Sequence, residues 1–418
     1  MHIRSLNLAI PILLFLFITG FMVYFHMDYD MECFQQWALY IHRHGLNNAY
    51  GSDTDYMPLY QYILWLYGQI NGTDKAILDN ISYLRCFTLA FDFLGLFYVV
   101  KWIDKKVAYY IVLVICILNL GYSFDTIIWG QVDGILSALV FIAVYQVWKG
   151  NNVKGGIFLV LALSFKVQAI VIVPVWVLLF VYNVVSKGSW KSAIWPVFVM
   201  FLSATALIYP FTKGQYGVDK ITHVLFHSFN KYPLVSIQAS NIWQLIVHGN
   251  VIETYDTQSC FAGLTYKQLG LVLFFTASFF ALLPLMLLVR EKWKTNNKNI
   301  TISRELVWFT SAMVYLLFYF FNTEIHERYC QPAFIFITAY AFFSGDFMTY
   351  ILFSIMYFLT LEHSMHHLNL PTYGTLIFDL RFLAAINILI IVSLGNKIYR
   401  SYKRHVDPLL MDRIRATV

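Results

Sequence analysis

Apolar stretches of about 17–25 residues recur along the whole chain, each long enough to cross a bilayer as a helix. About twelve such spans are expected, near positions 6–26, 82–102, 107–123, 132–148, 153–166, 168–185, 191–210, 267–289, 306–322, 331–345, 347–362 and 375–395. The fifth and sixth are short and meet at Lys166. The first, Leu6 to Phe25, follows a basic start at His2 and Arg4. It is long and no small-residue cleavage site follows it, so it reads as a retained helix and not a signal peptide. Leu59 to Ile70 is apolar but too short to cross and reads as a re-entrant or interfacial helix. The pattern therefore predicts an all-α polytopic membrane protein with amphipathic loop helices at its outer face.

Charge orients this arrangement. With the N-terminus cytoplasmic, the inner segments hold about 19 of the 29 Lys and Arg residues, and the outer ones about 16 of the 23 acids. The inner cations include Lys101, Lys105, Lys106, Lys149, Lys154, Lys187, Lys191, the group from Arg290 to Lys298, and the basic tail 396–418. Both termini are expected in the cytoplasm. Composition agrees with the class: 59% of residues are hydrophobic and 12% charged, with a mean hydropathy of +0.62. Soluble domains are roughly a quarter charged. The net charge of +6 is then a topology signal, and with no basic-aromatic motif in the chain no nucleic-acid partner is expected. Five cysteines, Cys33, Cys86, Cys116, Cys260 and Cys330, show neither close pairs nor metal spacing; Cys33 and Cys260, both in outer loops, are a possible pair. With no repeat and no linker, positions 1–418 read as one domain. Only the outer loops 27–81 and 211–266 have room for a substrate platform.

The polar signatures collect on the outer side. His26, Asp28, Asp30, Glu32 and Asp55 follow the first span, and Trp129-Gly130-Gln131-Val132-Asp133 opens the fourth. Lys166 stands at an outer turn, Asn241 in the larger loop, His326-Glu327-Arg328-Tyr329 after the ninth span, and His363, His366 and His367 after the eleventh. Carboxylates beside a lipid-facing helix are costly to dehydrate, so a dense group there points to a polar site at the membrane surface or to a solvated loop.

Within that set the chain resembles the GT-C glycosyltransferases, multispan enzymes that take a sugar from a polyprenyl-phosphate carrier. The pattern is similar to that of the endoplasmic-reticulum glucosyltransferases acting on lipid-linked oligosaccharide and of their bacterial relatives. Asp30-Met31-Glu32 with Trp37 resembles the family's Asp-aromatic-Glu stretch, which has a Trp seven residues after the Asp. Asp55-Tyr56-Met57-Pro58-Leu59 resembles its Asp-Tyr-Pro-Pro-Leu, departing at Met57 and in a shorter gap. Gln131-Val132-Asp133-Gly134, Lys166-Val167-Gln168-Ala169 with Pro174, and His326-Glu327-Arg328 follow in the family's order. The resemblance implies an inverting hexosyl transfer onto a lipid-linked or cell-envelope glycan acceptor at the non-cytoplasmic face of a bacterial cell membrane or of the endoplasmic reticulum.

It also implies roles. Asp30 holds the family's catalytic-aspartate position, where a base takes the acceptor hydroxyl's proton as the anomeric carbon gains oxocarbenium character; the plain alternative is that Asp30 caps the helix 31–44. Asp28 and Glu32 orient Asp30, bind sugar hydroxyls or face water. Asp55 binds substrate or caps the helix from Pro58. Gln131 and Asp133 are expected on the substrate. Lys166, His326 and Arg328 are the candidate partners of the leaving lipid phosphate, against snorkelling for Lys166 and a loop salt-bridge set for His326 and Glu327. A lipid monophosphate offers no diphosphate to chelate, so no metal or other cofactor is expected, and the three histidines near 363–367 read as an interfacial loop. Two other classes compete. A transporter or flippase places ionisable groups mid-membrane, and only Asp92 does so clearly. A polysaccharide polymerase would use a diphosphate-linked donor and an outer loop rich in Arg, whereas loop 211–266 has Lys213, Lys220 and Lys231.

Overall fold

The computed structural model of the chain describes residues 9–25, 28–104, 107–214, 216–227, 230–295, 297 and 299–417. His2, Arg4, Leu6, His26, Lys105, Lys106 and Lys298, named above, lie outside them.

The chain is an all-α membrane protein. Its helices are α1 (Ala9–Phe21), α2 (Tyr29–His44), α3 (Pro58–Asn71), α4 (Asp74–Asp79), α5 (Arg85–Ile103), α6 (Tyr109–Ile117), α7 (Leu120–Ser123), α8 (Asp133–Trp148) and α9 (Asn152–Leu163). They continue with α10 (Val173–Ser186), α11 (Lys191–Ile208), α12 (Gly217–His227), α13 (Trp243–Ile246), α14 (Tyr266–Thr295), α15 (Arg304–Phe321), α16 (Gln331–Ser344), α17 (Met348–Met365) and α18 (Leu380–Thr417). Among the described residues the one sheet is a hairpin, β1 (Ser259–Phe261) with β2 (Leu264–Thr265), turned through Ala262 and Gly263, both at positive φ.

Among the described residues each expected apolar stretch is mostly helical, but the count of twelve crossings is not reproduced. Among the described residues six helices are long and apolar enough to cross, or up to eight if each of two bent pairs is one span. The pairs are Ala9–Tyr24 with Tyr29–His44, bent by 102°, and Tyr109–Ile117 with Leu120–Trp129, bent by 79°. α8, α9 and α16 are apolar but shorter. Apolar composition tells which segments leave water, whereas length and direction decide which of them traverse. α11 shows the lipid-facing extreme: Ile194, Trp195, Val197, Phe198, Phe201 and Leu202 are all exposed, as suits a hydrocarbon surrounding.

The helices form two compact units, Met1–Ala143 with Gly156–Ile170 and Phe198–Lys231, and Val144–Gly155 with Val171–Val197 and Tyr232–Val418. In the second unit α15 is the central helix, buried along nearly its whole length and packed by α14, α16 and α18. In the first, α2 carries the core of the segment 28–81. Met31, Phe34, Ala38 and Ile41 are buried along one side, while Glu32 and Gln36 face out. Asp28 caps α2 from the extended region, its side chain accepting from the Tyr29 N–H. His42, Arg43 and His44 occupy the last turn, and Gly45 at φ 83° ends it. α3 starts at Pro58 and stops at Gly72, φ 71°. The stretch Leu59 to Ile70, expected as a re-entrant or interfacial helix, is therefore helical.

Candidate active site

Two capping expectations need correction. Asp28, and not Asp30, is the cap of α2, because the helix begins two residues earlier than expected. Asp30 stands in the first turn and is released from that structural duty. The cap position of α3 is Met57, with no side-chain cap bond, so Asp55 does not cap it either.

Asp30, Phe34 and Trp37 share one face of α2, since steps of four and seven residues return to the same side. Phe34 meets Trp37 with ring centroids 5.6 Å apart. Both meet Tyr56, of the Asp55-Tyr56-Met57-Pro58 turn, at 5.6 and 5.8 Å. The spacing of the sequence element thus has a physical content: it builds an aromatic wall one turn from the carboxylate.

The turn before α8 completes the group. Phe124–Trp129 is a single π-helical turn, a wide turn often found at functional sites. It ends at Gly130, φ 88°, where the backbone N–H groups of Gly130 and Gln131 both reach the Asp125 carbonyl, at 3.0 and 2.8 Å. A Cβ on Gly130 would lie 2.7 Å from Arg85 Nε and 2.7 Å from Met31 Sδ. Only glycine lets the turn come so close to α2. The approach brings Trp129 and Gln131 onto the carboxylates from 101 residues away: the Trp129 indole N–H donates to Asp28 Oδ2, and the Gln131 amide donates to Asp30 Oδ2. Gln131 is fully buried; Asp28 and Asp30 are half-buried, and Glu32 is exposed. Arg85, at the start of α5, is buried and lies within electrostatic reach of Asp28, with Nη1 donating to the Met22 carbonyl at 3.0 Å.

Further along the same unit, Lys166 Nζ donates to Asp133 Oδ1 at 2.7 Å. Both are buried, so the pair is shielded from solvent screening, and neither partner is snorkelling into water. Lys166 also lies 5.9 Å from the Tyr56 ring centroid, which ties the pair to the aromatic wall. Asp55 is bound by Lys231, and Asp53 by Lys220 at 3.1 Å. An open hollow of about 380 Å³ lies on the outer side of α2, lined by Tyr29, Glu32, Cys33, Gln35, Gln36, Trp37 and Ser52.

His326, Glu327 and Arg328 belong to the second unit and form a group of their own. Glu327 Oε1 accepts from Arg328 Nη1 at 2.8 Å, and His326 Nδ1 is 3.8 Å from Glu327 Oε2. The His326 ring packs on Tyr232 and Tyr329 at 5.3 and 5.1 Å. Beside them Lys267 pairs with Glu324 at 2.6 Å. Burial outweighs that contact and holds the Glu324 carboxyl above its ordinary range. The other polar signatures have structural uses. Asn80 Nδ2 donates to Asn71 Oδ1 at 2.8 Å. Glu362 accepts from the Tyr373 hydroxyl and the Leu368 N–H. Cys33 and Cys260 are free thiols. No group of three or more His, Cys, Asp and Glu side chains suited to a metal occurs among the described residues.

Sequence reasoning missed Arg85, Tyr60 and the two lysine clasps. Arg85 and Tyr60 sit in the first turns of α5 and α3, where an isolated polar residue has no distinguishing signal. Lys220 and Lys231 read as ordinary loop cations until the fold shows what they hold. Neither the models of known families nor the curated proteins include a match to this chain.

Proposed function

We propose that the protein is an integral-membrane inverting glycosyltransferase of the GT-C type, moving a hexose from a polyprenyl-phosphate carrier to a glycan acceptor on the non-cytoplasmic face. The observation that carries this reading is the Asp30 carboxylate, half-buried, freed from capping and held by the buried Gln131 amide. A base needs a fixed direction and an oxygen left over. Gln131 holds Oδ2, and Oδ1 is the oxygen that takes the acceptor's proton. Asp28 is fixed by Trp129 and supports the first turn; Glu32 and Asp55 meet sugar hydroxyls near the open hollow. Lys166, kept in place by Asp133, supplies positive charge for the departing phosphate, and His326, Glu327 and Arg328 form a second substrate-contacting group. The six to eight candidate spans among the described residues and the resemblance in motif order favour this class. The donor's single phosphate calls for no bridging metal.

The test is turnover with purified protein, polyprenyl-phosphate glucose or mannose, and candidate lipid acceptors. Asp30→Asn keeps the shape and removes the base, so turnover is expected to fall by about 10²-fold or more, with donor binding little changed. Near wild-type turnover in a folded Asp30→Asn protein would overturn the reading.

One observation favours a transporter instead. Asp92 is buried within α5, with Oδ2 accepting from Thr126 at 2.7 Å, and a buried membrane carboxylate is a common transport device. Asp92→Asn in the same detergent assay separates the two: glycosyl transfer tolerates it, and activity lost in Asp92→Asn alone would favour transport.

A further inference from the structure

The outer side of α2 carries a stripe that the transfer step does not use. Tyr29, Cys33, Gln36, Tyr40 and His44 follow one another at steps of three or four residues, so they lie along one side of the helix. The 16 residues of α2 extend about 24 Å. Two hollows follow the stripe. The first is the open hollow of about 380 Å³ described above. The second, of about 280 Å³, is lined by Gln36, Tyr40, Arg43 and His44 of α2 and, opposite them, by Gly51, Ser52 and Asp53 at the end of the 3-10 segment Leu46–Ser52. Gln36 and Ser52 line both hollows, so the two adjoin and make one groove. Its end away from Asp30 has a fixed floor. His44 Nδ1 donates to the Tyr40 carbonyl at 3.0 Å, which keeps the two rings stacked at 4.1 Å. A Cβ on Gly51 would lie 2.1 Å from the Tyr40 hydroxyl, so only glycine lets that ring lie against the opposite wall.

The lining specifies its ligand. Arg43 Nε and Nη2 both bind Asp74 Oδ2 at 2.8 Å, and Asp53 accepts from Lys220 at 3.1 Å. Toward Asp30 the lining charge is Glu32. An anionic ligand would face Glu32 and Asp53 and compete with Asp74 for the one guanidinium. The groups left for binding are neutral. The exposed Gln36 amide both donates and accepts. The Ser52 hydroxyl gives its proton to the Ala49 carbonyl at 2.7 Å, which leaves its oxygen to accept. Trp37, Tyr40 and His44 add flat rings. Hydroxyl groups match such donors and acceptors, and the C–H faces of sugar rings suit the electron-rich faces of aromatic rings. A peptide fits less well, because both walls are helical and offer no strand edge to pair with. We propose that this groove binds the acceptor as an oligosaccharide, with several neutral sugar units laid along α2 from Trp37 to the Tyr40–His44 stack. The proposal rests on the glycosyl-transfer reading and adds that units remote from Asp30 are gripped, so that a single sugar binds poorly.

The groove is tested without turnover. The full chain in biotin-tagged phosphatidylcholine nanodiscs is applied to an array of neutral hexose and N-acetylhexosamine chains, α- and β-linked, of one to about six units. Serine- and threonine-rich peptides and sulfated sugars are printed on the same surface, and empty nanodiscs give the background. The wild type is expected to be retained on chains of about three or more units and not on the corresponding single sugars. Gln36 and His44 are exposed, so Gln36→Ala and His44→Ala are expected to fold, and each is expected to weaken retention about tenfold. Asp30→Asn is expected to be retained as the wild type is. No retention on any neutral chain, equal retention on single sugars, preference for the peptides or the sulfated sugars, or wild-type retention of both Gln36→Ala and His44→Ala would each overturn the proposal. Turnover of Asp30→Asn reads the transfer step alone and retention on the array reads the groove alone, so the two can fail separately.

Discussion

At the scale of single residues, Gly130 decides the site. Its φ of 88° is strained for any other residue by roughly 1–2 kcal/mol. A methyl there would also press on the Arg85 guanidinium and the Met31 sulfur, each 2.7 Å away, and such overpacking adds roughly 1–3 kcal/mol. Gly130→Ala is therefore expected to destabilise by about 2–4 kcal/mol. Thermal unfolding in detergent measures the loss. Transfer activity should fall with it even below the unfolding temperature, because Gln131 is displaced from Asp30. An unchanged melting temperature would show that the turn relaxes freely. The sequence showed Trp129-Gly130-Gln131 as a polar entry to a span. It did not show that Gly130 is the one residue able to bring that entry onto Met31, since the two are far apart in the chain.

At the scale of elements, the helices are fixed by local chemistry and joined by a few polar contacts. Asp346, in the turn between α16 and α17, binds Lys397 of α18 at 2.5 Å. The Lys397 hydrogen bond holds the Asp346 carboxyl below its usual value of 3.8. A lowered carboxylate value in the folded state means that the stabilisation is present above pH 3.8 and is lost as pH falls through the lower folded value. Asp346→Asn should remove that acid-limb dependence. It should cost only about 0.2–1 kcal/mol near neutral pH, since the pair is partly exposed. Chemical unfolding of both proteins across pH 3–6 checks this, and parallel curves would exclude the linkage. Element existence was legible. The apolar runs, Pro58 at the start of α3, and Gly45 and Gly72 at the ends of α2 and α3 all carry local signals. Element length was less so: among the described residues six to eight helices qualify as spans where about twelve were expected, because apolar runs also fill short buried helices such as α8, α9 and α16.

At the scale of the whole molecule, the excess of Lys and Arg in alternate loops predicts that both termini are cytoplasmic. That frame sets residues 53 and 295 on opposite sides of the membrane. Single cysteines placed there, labelled with an impermeant maleimide in oriented vesicles, should react from opposite faces. Labelling of both from the same face would remove the frame and, with it, the outer location of the Asp30 group.

The chain's class was settled by sequence alone, because hydrophobicity is a sum over residues and needs no partner: an all-α membrane protein follows from the apolar runs and the scarcity of charge. The candidate residues were also visible, as carboxylates, amides and cations in a shared motif order. What only the tertiary structure decided is which of them meet. Asp30 became separable from a cap when α2 was seen to begin at Tyr29 with Asp28 before it. Gln131 became its holder through a π-helical turn that no local pattern announces. Lys166 ceased to be an interfacial lysine once Asp133 was found against it in the interior. Tyr60 emerged only as a hydroxyl without a partner. Each of these depends on groups separated by tens of residues and joined by packing, and pairing of that kind is a property of the folded chain and not of any segment of it.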